Sequence, residues 1–224
     1  MAFNFAVSSK NTNGAPLPAN IADPEKYLIL DGRTYGGYSC PDMLVSMEKS
    51  YHGKDWNQAQ DALHQNGETM LTIRQFADFL NLLKSGKAYD GRGKAVDGKR
   101  LTSILNEIVK VRDPWRSEWL DAQFGEGTIS YHIIENQMLK KIEEPLADYL
   151  SSDKQISMAD WLKNANQHGL PRANAKAGNL YYFAPVKGRV ARFYANSVGA
   201  YLGCGWDPSY SNSDLGVRAA RKKI

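Results

Sequence analysis

The side chains with nucleophilic, acid–base or soft metal-ligand chemistry are few: Cys40 and Cys204, and His52, His64, His132 and His168. A catalytic thiol needs neighbours that lower its pKa. A metal site needs His, Cys or carboxylates at short, repeated spacings. The two cysteines lie far apart, so one bridge is possible but not assignable, and the four histidines show no ligand spacing and read as plain surface residues. The denser chemistry is recognition. Between Phe193 and Asp214 the only charged residues are Asp207 and Asp214, whereas 23% of the chain is charged. Tyr194, Asn196, Val198, Tyr201, Gly203, Gly205, Trp206, Asp207, Tyr210, Ser211 and Asn212 are the candidate ligand-binding residues. Tyr and Trp give large contact area at low entropy cost, and Ser, Asn and Gly give adaptable hydrogen bonding. Arg192 and Arg218 are expected to be structural, each paired with a carboxylate. Gly91-Arg92-Gly93-Lys94 lacks the Gly-Lys-Ser/Thr of a phosphate loop; with Lys87, Lys99 and Arg100 it reads as a mobile basic loop.

These residues need elements to hold them. Tyr27–Leu30 is a short apolar run stopped by Asp31-Gly32, a strand and turn. Asp55 caps a helix with Trp56, Ala59 and Leu63 on one face, and Gly67 lies past its end. Thr72 caps a second helix, with Ile73, Phe76, Phe79, Leu80 and Leu83 inward and Gly86 as its stop. Leu101, Ile104, Ile108 and Val111 predict a third, ending before Pro114. Residues 115–134 alternate and are β-branched, predicting two strands around Gly125-Glu126-Gly127. Ser157 caps a helix through Trp161 and Ala165, ended by Gly169-Leu170-Pro171. Strands then dominate: Tyr181–Ala184, Arg189–Ala195, Ala200–Cys204 and Leu215–Ala220. Alternation puts Tyr194 and Asn196 on one strand face and Phe193 and Ala195 on the other. Helices in the middle and strands at the end predict an α+β domain.

The 224 residues suffice to bury a core without staples, and 42% hydrophobic content is ordinary for a globular domain. Two cysteines exclude a disulfide-dense scaffold. No run approaches the ~18 apolar residues of a membrane span. Residues 1–24 read as an irregular arm without the basic and apolar pattern of a signal peptide. The net charge of +4 gathers at Arg221, Lys222 and Lys223, which read as a solvated tail; no nucleic-acid partner is expected.

Two segments together resemble the C-type lectin fold. Trp56, Ala59, Gly67, Leu71, Thr72 and Phe76 match the pattern of its two helices, and Gly216, Val217, Arg218, Ala220 and Arg221 match the closing strand of its formylglycine-generating branch, with Val217 in place of Phe. Within that branch the chain is most similar to the hypervariable proteins of diversity-generating retroelements, viral, archaeal or bacterial. In these a C-terminal block on a fixed scaffold is rewritten at template adenines. Asn-type codons so rewritten yield Asn, Ser, Tyr, Asp, Gly, Ala and Cys, the types that fill 194–212. Trp206 departs from this, because its codon ends in G. The resemblance covers about 25–85 and 178–221. It implies one domain over 25–224, helices packed on a small twisted antiparallel sheet, a central insertion at about 86–177 and a variable region at about 189–218.

By the same resemblance the chain is expected to be a non-enzymatic receptor-binding protein. It would be displayed in multiple copies on a virion tail or microbial surface, binding a macromolecule, a protein on another cell, without cofactor or metal. The alternatives are an enzyme of the formylglycine-generating branch and a constant structural virion protein. The enzymes use paired reactive cysteines, and Cys204 has no neighbour. Related iron enzymes need His-x-x-x-His-x-Glu, which is absent. The Glu-Pro-Asn, Gln-Pro-Asp and Trp-Asn-Asp calcium motifs of sugar-binding lectins are absent too.

Overall fold

The computed structural model describes residues 23–135 and 138–223. The arm expected over 1–24 lies outside the described residues except for Asp23 and Pro24. Helix α1 (Trp56–His64) is capped at Asp55 and α2 (Ile73–Ser85) at Thr72, each with a reciprocal capping box through Gln58 and Gln75. Gly86 ends α2 at φ 68°, a conformation that costs a residue with a Cβ. Helices α3 (Gly98–Val109) and α4 (Met158–Asn164) begin at the caps Asp97 and Ser157.

The fold is α+β. A four-stranded sheet joins β1 (Tyr27–Leu30), β4 (Met43–Ser46), β14 (Ala219–Lys222) and β5 (Thr69–Met70) in that order. The short hairpin of β2 (Arg33–Tyr35) and β3 (Tyr38–Cys40) stands apart. The large sheet runs β8 (Met138–Pro145), β7 (Thr128–Glu135), β6 (Arg116–Phe124), β11 (Val190–Ala195), β12 (Ala200–Trp206), β10 (Leu180–Phe183), β9 (Lys154–Ile156), with β13 (Leu215–Val217) also on β6.

This sheet is mixed rather than antiparallel, since β10 runs parallel to β12 and β13 parallel to β6. The segment expected as an insertion supplies β6, which pairs with β11 along one edge and with β13 and β7 along the other. The strand expected over Leu215–Ala220 is two. At Arg218 the chain leaves the large sheet for the four-stranded one, because the Arg218 side chain turns inward onto Glu118. The basic C-terminus is not a solvated tail: β14 pairs with β4, and Arg221 reaches Glu68 at 2.7 Å. The 86–100 segment is also built rather than mobile. Buried Asp90 accepts from the Arg92 and Lys94 amides at 2.9 Å, and Tyr89 bridges Ala95.

One face of the large sheet packs on α2, α3 and α4. Phe193 sits between Phe76, at 5.1 Å centroid separation, and Trp161, stacked at 6.3 Å. The other face holds a second cluster in which α1 contributes Trp56, Ala59 and Leu63 against Trp119, Val190, Leu215 and Val217. The buried indoles spend their N–H groups on backbone: Trp56 on the Leu120 carbonyl at 2.9 Å, Trp161 on that of Gly169 at 2.7 Å.

Candidate functional site

Along β11 the residues Ala191, Phe193 and Ala195 enter the core, so Arg192 and Tyr194 point to the opposite face. The same alternation on β12 buries Leu202 and Cys204 and turns Tyr201 and Gly203 outward; on β10 it buries Leu180 and Tyr182 and turns Tyr181 and Phe183 outward. The register puts Tyr181 opposite Tyr201 and Tyr201 opposite Tyr194. Their rings stack as a row, Tyr181 to Tyr201 at 4.6 Å and Tyr201 to Tyr194 at 4.3 Å, with Phe183 parallel to Tyr201 at 6.2 Å. Trp206 meets Tyr194 edge-on at 5.7 Å, and Tyr210 follows Trp206 at 5.6 Å.

The candidates of the sequence divide by role. Val198, at 66% exposure, tips the β11–β12 turn, and Ser211 and Gly205 are exposed. Tyr194, Trp206 and Tyr210 are half-buried, Tyr194 face-on in the row and the other two angled at its end. Tyr201 is only 8% exposed, so it supports its neighbours more than it offers surface. Gly203 is buried, and a Cβ there would lie 2.4 Å from Trp206 Nε1: the indole folds back over the glycine. Three candidates build turns. Asn196 Oδ1 accepts from the Val198 and Gly199 amides at 2.8 and 3.1 Å, and Asn212 Oδ1 from the Asp214 amide at 2.9 Å. Asp207 accepts from the Ser209 amide and hydroxyl and pairs with Arg189, which together push its carboxyl down to about 2. The loop after β12 is tied to α1 where the Trp56 amide donates to the Pro208 carbonyl at 3.0 Å. Sequence reasoning missed Tyr181, Phe183 and Trp115 as members of this face; alternation with Leu180 and Tyr182 was the available signal for the first two.

Arg218 pairs with carboxylates as expected, with Glu118 at 2.7 Å and Glu107 at 3.2 Å. Arg192 does not. It is 3% exposed, has no carboxylate partner among the described residues, and its Nε and Nη1 are buried without an acceptor. Its guanidinium instead lies among four rings, 3.1 Å from the Trp206 centroid, 4.7 Å from Tyr194, 5.1 Å from Tyr210 and 5.3 Å from Trp115. Burial pushes it down to about 10, still charged at neutral pH. The neighbouring phenol of Tyr194 is pushed up to about 12 by burial, against the pull of Arg192.

The histidines are not all plain surface residues. His168 is buried and bonds Glu144 at 2.7 Å, and His132 bonds fully buried Asp121 at 3.0 Å beside Gln60. His64 lies tilted against His132 at 5.2 Å between ring centroids, and burial followed by repulsion from His132 lowers its pKa to about 4 from 6.5. Among the described residues no cluster of three or more His, Cys, Asp or Glu could hold a metal ion. Because the folded chain resists protonation at His64, stability is fully present above pH 6.5 and falls as pH drops towards 4, where the unfolded chain alone takes the proton. His64→Gln is expected to flatten that stretch of a stability–pH profile measured by urea denaturation; an unchanged slope would show that other groups carry it.

Both cysteines are free. Cys204 lies in the core, where burial raises its thiol far above the usual range, and Cys40 is raised as well by burial. Iodoacetamide at pH 8 is therefore expected to leave Cys204 unmodified in the folded chain and to label it only after denaturation, as read by peptide mass. Labelling of Cys204 in the native state would reopen a thiolate chemistry.

Among the described residues no helix is long and apolar enough to cross a membrane. Searches against protein-family models, curated proteins and solved structures return no match for this chain.

Proposed function

We propose that this chain is a non-enzymatic ligand-binding protein with a C-type-lectin-like scaffold, whose C-terminal strands display a diversifiable surface for host or cell-surface attachment. One observation carries the reading. A continuous row of rings, Tyr181, Tyr201 and Tyr194, runs across three paired strands and on to Trp206 and Tyr210, with Tyr201 buried at its middle and the other four half-exposed. Rigid aromatic contact area on a fixed backbone is the composition of a recognition surface. The scaffold reading is supported by α1 starting at Trp56 and α2 opening after Thr72, where the resemblance places the two helices. A core-bound, protonated Cys204 speaks for binding over thiol catalysis.

Binding would work by shape and hydrogen-bond complementarity to a macromolecule, a protein on another cell. The turn tips can change without touching the core. Val198 projects freely, and the neighbouring turn is held by Asn196 and by backbone. Copies displayed on a virion tail or microbial surface would multiply weak single contacts by avidity.

Sequencing the 3′ end of the gene across a natural population, with the DNA downstream, tests this. Substitutions at outward codons such as those of Val198, Tyr210 and Ser211, constancy at Ala200, Leu202 and Cys204, and an adenine-bearing template copy nearby are expected. A uniform 3′ end without a template copy would overturn the diversified surface.

A further inference from the structure

The chain has four buried arginines among its described residues: Arg74, Arg116, Arg192 and Arg218. Arg74 and Arg218 reach carboxylates at 2.8 and 2.7 Å, and Arg116 donates to the Asn106 and Lys110 carbonyls at 2.8 and 3.0 Å. Arg192 alone of these reaches neither a carboxylate nor a carbonyl among the described residues; the Tyr210 hydroxyl is the one polar group that faces it. The rings around it offset part of the desolvation through their faces. They leave the in-plane N–H groups at Nε and Nη1 unsatisfied, a costly state for a buried cation.

We infer that Arg192 and its wall of Trp115, Tyr194, Trp206 and Tyr210 form a binding site for one carboxylate, an Asp or Glu side chain of a protein partner. This rests on the reading of the C-terminal face as a binding surface, and it names the group that the surface takes first. A guanidinium meets a carboxylate with two parallel N–H bonds, and a single cation suits a monoanion better than a phosphate. Arg189, three residues earlier, is already paired with Asp207. Access is through the wall: all four rings are half-buried, and the guanidinium lies among them. Trp206 rests over Gly203, where the missing Cβ leaves the room its indole occupies. A rotation of that side chain uncovers the arginine and leaves an indole beside the bound carboxylate. An arginine among Trp and Tyr on a sheet face has the composition of a protein–protein hot spot, which favours a protein carboxylate over an acidic sugar.

The test is NMR on the intact chain, following the side-chain Nε–H signals of arginine, with the Arg192 signal assigned by its disappearance in Arg192→Lys. The probes are N-acetyl-glutamate methylamide, its glutamine counterpart and glucuronate. The glutamate probe is expected to shift the Arg192 signal saturably and to change tryptophan fluorescence in parallel, with the glutamine probe silent. Arg192→Lys is expected to bind the glutamate probe at least about tenfold more weakly, since a lysine keeps the charge but loses the paired donors. Equal responses to both amino-acid probes, or none up to about 100 mM, a range that covers affinities weaker than millimolar, would overturn the site. A response to glucuronate with none to glutamate would overturn the protein partner in favour of an acidic sugar. Through-bond correlation of the Nε–H signal to the assigned Arg192 backbone in the wild-type chain gives the same assignment, so the result stands even if the variant fails to fold. A silent Arg192 together with variation confined to codons 194–212 would remove the carboxylate and keep the binding surface; a responsive Arg192 with an invariant 3′ end would do the reverse.

Discussion

Arg218→Met is expected to lower the unfolding free energy by about 3–5 kcal/mol, the loss typical of removing one partner from a buried ion pair. The Arg218 guanidinium is 1% exposed in its side chain and donates from Nε and Nη2 to the two oxygens of Glu118, at 3.1 and 2.7 Å. It also donates to Glu107 at 3.2 Å and to the Ser46 carbonyl at 3.0 Å. One side chain thus ties α3, β6 and the end of β4 at the point where the chain crosses between sheets. Methionine fills most of the volume but leaves Glu118 buried without a cation. Glu107 is already raised by burial and then by Glu118, so losing Arg218 raises it further. Urea denaturation at pH 7 measures the effect. Adding Glu118→Leu to Arg218→Met is expected to recover more than half of the loss, because the orphaned charge goes with it. A loss below about 1 kcal/mol, the scale of a surface pair, would mean that water reaches Glu118.

How much of this was legible depended on whether the signal was local. The caps Asp55, Thr72 and Ser157 and the stop at Gly86 are local, and the helices begin and end where those residues place them. The β6–β7 pair was readable from the turn at Gly125–Gly127 and from the β-branched Thr128, Ile129 and Ile133 of β7. By contrast β8 reads as lysines and glutamates on both faces, with a burial pattern of exposed and half-buried residues only, so it carries no amphipathic signal and owes its existence to β7. The central place of β6 was hidden for another reason. Its partners β11 and β13 come from far along the chain, and register between distant strands is not written in either one alone. In the candidate site, residue type marked the aromatic members but not their burial. Tyr201 and Tyr210 look alike in sequence, yet one is a strand residue between two rings and the other lies on a loop. Arg192 was misjudged because a buried arginine usually has an acid beside it, and here four rings stand in that place.

That difference between Tyr201 and Tyr210 gives the second large effect. Tyr201→Ala is expected to destabilise the fold by about 3 kcal/mol, near the lower end for a buried aromatic truncated to alanine. Its ring is the middle of the row, sandwiched between Tyr181 and Tyr194 at 4.6 and 4.3 Å and parallel to Phe183 within 2°. Removing it takes stacking partners from both neighbours at once and opens a gap that paired strands cannot close. Tyr210→Ala should change stability by less than about 1 kcal/mol, as a half-exposed loop side chain does. It would nevertheless weaken binding by about 30-fold, or about 2 kcal/mol, if Tyr210 is a hot-spot ring. Thermal melts of the two variants separate the roles, and titration of the chain against the partner it recognises gives the second number. Equal melting shifts would mean that the loop is as much scaffold as the strand. A Tyr201→Ala chain as stable as wild type would mean that the row is held by its backbone alone, and that the central ring is free to vary with the surface around it.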